Sequence, residues 1–143
     1  MRCALLPFSA LLVSVGLALP LAAAATASPA PSCGQRSAGP GALVRGTDAG
    51  AECMLAAFEH HCRPASYELS VFGVDTIARD SFSLRARGAG CEVVLVASFE
   101  VVPRLRSSHS AQCSALVRQG SQILASGCMG AGVPHQVSLT GPG

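Results

Sequence analysis

Between residues 65 and 128 apolar and polar positions alternate with a period of two over several short stretches, the pattern of strands with one buried face. Tyr67, Leu69 and Val71 alternate with Glu68 and Ser70, and Phe82, Leu84 and Ala86 alternate with Ser83, Arg85 and Arg87. From Cys91 to Val101 every odd position is apolar, while Val94, Val96 and Val102 add to the even set, which marks a central strand with its second face partly covered. Ala89-Gly90 is read as the turn between these two strands. That register sets Leu84 against Leu95, Phe82 against Ala97 and Arg87 against Glu92, apolar on apolar and opposite charges together. Upstream the period changes. Met54, Leu55, Phe58 and Cys62 recur at helical spacing, in a helix that opens at Asp48 or near Gly50 and is stopped by Pro64. Its apolar stripe is expected to cover Val93, Leu95 and Phe99. Residues 111–118 and 122–128 flank Gly120-Ser121, a hairpin turn; pairing Gln119 with Gln122 places Val117 opposite Leu124 and Cys113 in register with Cys128.

The remaining stretches carry little periodicity. Residues 28–50 read as an irregular Pro/Gly-rich arm, residues 104–110 as a polar loop after Pro103, and residues 131–143 as a Gly-rich tail with some extended character near Gln136. The predicted architecture is α+β: one helix packed on a four- to five-stranded antiparallel sheet, stapled by disulfides, with residues 51–130 forming the domain.

Composition separates the first residues from the rest. Apolar residues make up 20 of the first 27 positions against 51 of the remaining 116. Residues 1–27 have the form of a secretory signal: Arg2, a short apolar core, Pro20, then small residues that favour cleavage after Ala27. The apolar core falls short of the roughly 20 residues that a membrane span needs. A second route to the envelope is a lipoprotein attached through Cys33, although Ala30-Pro31-Ser32 before it lacks the usual Leu.

Loss of Cys3 with the leader leaves Cys33, Cys53, Cys62, Cys91, Cys113 and Cys128, an even set that reads as three disulfides in an exported domain. The hairpin register pairs Cys113 with Cys128. Cys53 and Cys62 lie on one helix, too far apart to bridge each other. Their partners are therefore Cys33 and Cys91, in either combination.

Charge and residue types exclude several functions. The chain has ten basic residues, all Arg, against eight acidic ones, a net charge of +2, and so lacks the electrostatic footprint of a nucleic-acid binder or of a protein drawn to anionic membranes. Without Lys there is no Schiff base, phosphate-binding loop lysine or Ser-Lys dyad. No spacing matches a zinc site, and no cofactor is expected. His60-His61-Cys62 concentrates ligating groups, but adjacent histidines on a helix diverge by about 100° and suit a solvated helix end. Asp75 and Asp80 bracket a turn with Thr76 and Arg79; a glycosidase pair would want a cleft with aromatic platforms, and the chain has five Phe and one Tyr. Arg104, Arg106 and Arg118 form a candidate basic patch.

The segment Cys53-Met54-Leu55-Ala56-Ala57-Phe58-Glu59-His60-His61-Cys62-Arg63-Pro64-Ala65, followed by Phe72-Gly73-Val74-Asp75-Thr76 and Cys91, resembles a group of small exported bacterial proteins of unknown function. The resemblance implies export and a Cys-flanked helix leading into a sheet with a Cys-bearing late hairpin, and it carries no activity. The helix-then-sheet order also looks like cystatins and β-lactamase-inhibitor proteins, a likeness of architecture alone.

These readings point to a secreted or envelope protein without catalysis. The expected function is a binding or inhibitor-like module presenting residues 73–80 and 103–110 as loops, with Asp75, Thr76, Arg79, Arg104 and Arg106 as candidate contacts. Its partner would be an unidentified protein or small molecule outside the cytoplasm, not nucleic acid, and a membrane only if Cys33 is lipidated. The alternatives are a small secreted hydrolase with an unrecognised site and a structural lipoprotein.

Overall fold

The structure, a computed structural model, describes residues 30–39 and 48–141. The expected leader and its expected cleavage site lie outside them. Nine elements follow in order: β1 (Ser32–Ala38), α1 (Ala49–Glu59), β2 (Ser66–Phe72), β3 (Thr76–Arg87), β4 (Gly90–Val101), β5 (Arg104–Cys113), β6 (Ala115–Gln119), β7 (Gln122–Ser126) and β8 (Gln136–Ser138). Strands β1 to β5 form one sheet in sequence order, and β6, β7 and β8 form a second.

The class is α+β, with one helix, but the expected all-antiparallel sheet is corrected to a mixed one. β1 lies parallel to β2, reached through α1 as a right-length crossover for parallel neighbours. The 28–50 arm is therefore not irregular throughout. Its strand escaped the period-two pattern because an edge strand faces solvent widely and needs no run of apolar residues. The same cause hid β5: residues 104–110, expected as a loop, are the exposed part of the opposite edge strand. At the other end, β8 pairs with β7 and Leu139 is fully buried, so the packed unit extends beyond residue 130.

The β3–β4 register differs from expectation by two residues. Phe82 faces Leu95, Leu84 faces Val93 and Arg85 faces Glu92, because the turn is Gly88-Ala89, where Gly88 takes φ 60°, a conformation that glycine adopts without steric cost. A two-residue slip preserves parity, so the same side chains are buried. Arg87 still reaches Glu92 diagonally, at 2.9 Å.

One face of the large sheet carries the core. Ala51, Met54 and Leu55 of α1 join Tyr67, Leu69, Phe82, Leu84, Val93 and Leu95, and Leu116, Ile123 and Ala125 of the second sheet complete the cluster with Leu139. Phe58 is only partly buried and Phe99 is 41% exposed, so the helix stripe does not cover the far end of β4. The β6–β7 hairpin keeps the expected Val117–Leu124 register, but Val117 faces outward. The chain leaves the first sheet at Ser114, which separates this hairpin from β5.

A buried polar group fixes the start of α1. Asp48 caps the helix, accepting from the backbone N–H groups of Gly50 and Ala51, and also accepts from Tyr67 Oη and Arg36. Burial alone would raise the Asp48 carboxyl, but the donors from Tyr67, Ala51, Arg36 and Gly50 outweigh it and hold the group below the usual carboxylate range. Burial first, and then the Asp48 carboxylate, push the Tyr67 hydroxyl well up.

Three disulfides tie these parts together: Cys33 to Cys53 joins β1 to α1, Cys62 to Cys91 joins the end of α1 to β4, and Cys113 is bonded to Cys128. Their access to solvent is graded. Cys113 and Cys128 are 1% and 4% exposed, whereas Cys53 lies at the surface. Because exchange requires a thiolate to reach a sulfur, mild reduction followed by alkylation should label Cys33 and Cys53 first and Cys113 and Cys128 last. Peptide mapping that finds the reverse order would show that solvent access does not govern these bridges.

Candidate functional site

The turns that follow β2 and β4 lie at the same end of the sheet. In the first, Gly73-Val74-Asp75, the Gly73 N–H donates to the Thr76 carbonyl at 2.7 Å. A Cβ at Gly73 would come within 2.2 Å of Thr76 Oγ1, so a larger residue there would force the Thr76 side chain to turn away. The second is Val102-Pro103. Its Val102 N–H donates to the Asp75 carbonyl at 3.0 Å, which fastens the two turns together.

Around this tip the apolar side chains are exposed rather than buried. Val74 is 91% exposed, Leu105 60%, Val102 55%, Phe99 41% and Phe72 36%. They lie on both faces of the sheet. Phe72, Ile77, Glu100 and Leu105 form one cross-strand row, whereas Phe99 lies opposite Ala78 on the other face. Exposed apolar groups gathered in one place mark interaction sites far more often than scattered ones do.

The candidate residues from the sequence divide accordingly. Asp75 sits in the exposed turn, Thr76 opens β3, and Arg104 and Arg106 lie at the start of β5, so all four are at or near the tip. Arg104 and Arg106 form no ion pair among the described residues. Arg79 belongs to β3 rather than to a loop and is paired with Glu100. Asp80, also in β3, stands opposite Leu69 and Ala97 on the core side, and burial pushes its carboxyl up. It therefore does not converge with Asp75. Arg118 is engaged with Glu52 of the helix, which splits the expected three-arginine patch. Both "loops" thus shrink to short turns backed by strands.

The other chemistry is dispersed. His61 and Cys62 adopt left-handed backbone (φ 60° and 54°) as they close the helix, with the Arg63 N–H donating to the Ala57 carbonyl at 3.0 Å. Among the described residues no group of three or more His, Cys, Asp or Glu side chains is placed to hold a metal, and no helix is long and apolar enough to cross a membrane. The open face of the large sheet carries a shallow depression of about 380 Å³ lined by Ser32, Ser66, Glu68, Ser81 and Ser83. Glu68, its carboxylate, accepts from Ser70 and has no second acid or base beside it in that lining.

Sequence reasoning missed Phe72, Val74, Phe99, Val102 and Leu105 as surface groups. The available signal was their position beside Gly73 and Pro103, where a strand has run beyond the helix that covers it. Compared with family models, curated proteins and solved structures, the chain matches none.

Proposed function

We propose that the protein is a small exported non-catalytic binding or inhibitor-like module of the cell envelope or extracellular space, and that the sheet tip is its binding element. The observation that carries this reading is the hydrogen-bonded pair of turns presenting Val74, Val102 and Leu105 to solvent beside Arg104 and Arg106. Three intramolecular disulfides fit an oxidising compartment.

The alternatives find less support. A hydrolase would need convergent acid, base or nucleophile, and Asp75 and Asp80 do not meet. Lipid attachment through Cys33 would need its sulfur, which is bonded to Cys53. Changing Val74 and Leu105 to Asp together tests the proposal. The variant should keep three disulfides and a cooperative unfolding transition while losing the partner that the native protein retains from culture medium or cell wall. Equal recovery by both proteins would refute the assignment of the tip.

A further inference from the structure

β5 is an outer strand of the large sheet, so one side of its backbone meets no further strand. The loop after β7 covers its final part. There Gln112 exchanges backbone hydrogen bonds with Met129, at 3.0 and 2.9 Å. Gly130 lies against the Ser110 carbonyl so closely that a Cβ would be 2.3 Å from it. Along residues 104–108 no strand among the described residues pairs with this side. Five residues span roughly 17 Å, enough for a short extended segment.

The uncovered stretch has a distinct chemistry. Arg104 and Arg106 are exposed and unpaired among the described residues, and Leu105 stands between them. Two cations on a free edge repel a second copy of that edge and attract carboxylates. The opposite edge, β1, offers no such pair, since its Arg36 is held by Asp48. A bulge inserts Arg106 between Leu105 and Ser107, which limits the length of any added ladder.

We infer that residues 104–108 receive an extended segment of a protein partner in which acidic residues alternate with apolar ones. The segment adds as a strand, its carboxylates meeting Arg104 and Arg106 and its apolar side chains extending the surface of Leu105 and Val102. This inference rests on the tip being the binding element and names the partner's segment.

The test uses the full exported protein, isotope-labelled, and two capped hexapeptides, one alternating Glu with Val and one alternating Lys with Val. The acidic peptide should shift the amide signals of residues 104–108 and bind about tenfold more tightly than the basic one, with the difference shrinking at high salt. Arg104→Glu with Arg106→Glu should reverse the preference, and Arg104→Gln with Arg106→Gln should abolish it. Absent shifts, shifts confined to another surface, or equal binding of the two peptides would overturn the inference. If Val74 still contacts a partner in that case, the tip reading stands and only the acidic strand fails.

Discussion

Asp48→Ala is expected to destabilise the protein by roughly 2–4 kcal/mol, measured as the loss in unfolding free energy in urea. The side chain serves three partners at once. It caps α1 through the N–H groups of Gly50 and Ala51, an interaction worth about 1 kcal/mol by itself. Its removal also leaves the buried Tyr67 Oη without an acceptor, at a cost of about 1–3 kcal/mol, whereas the Arg36 guanidinium, partly exposed, turns to water. Tyr67→Phe should cost less, about 1–2 kcal/mol, because Asp48 keeps its other donors.

The same group sets an acid dependence. Its carboxyl is held below the ordinary range in the folded state, so its contribution is present above the unfolded pKa of about 4 and is lost as pH falls through the folded value. Asp80 has the opposite sign. Burial raises its carboxyl, so the charged form opposes folding as pH rises through its folded value, and Asp80→Asn should stabilise the protein at neutral pH. Asp48→Asn should flatten the acid limb that Asp80→Asn leaves in place.

What the sequence disclosed follows from how each signal arises. The helix and strands β2, β3 and β4 were legible because Met54, Tyr67, Leu69, Leu84 and Leu95 repeat with the period of the element that buries them. The Gly120-Ser121 turn carried the hairpin register because the strands on either side are short and antiparallel. β1 and the start of β5 were invisible for the reverse reason, since edge strands bury little and their Ser, Gln and Arg residues read as loop. The β3–β4 turn was misplaced by one residue, which moves the register by two, because Gly88, Ala89 and Gly90 offer two turns of equal parity. The tip depends on the joining of two turns separated by 27 positions, between Asp75 and Val102, which no local pattern encodes.

The largest functional effect is expected from replacing Val74 and Leu105 with Asp. Both side chains project from the tip and contribute little to the core, at 91% and 60% exposure, so folding should persist. A central apolar contact in an interface is worth about 2 kcal/mol or more, and losing two while placing carboxylates against a partner should weaken binding by about 100-fold or more. Val117→Asp provides the control, an exposed apolar position on β6 in the second sheet.

The measurement that bears most directly on the tip as binding element is photo-crosslinking in the producing cell with benzoylphenylalanine at position 74 or at position 117. The chain contains no Lys, so ordinary amine cross-linkers find no side chain on it, and the photoreactive residue alone defines the contact. One discrete protein adduct is expected from position 74, lost when Leu105→Asp is added, and none from position 117. No adduct from position 74, or the same adducts from both positions, would contradict the assignment of the tip.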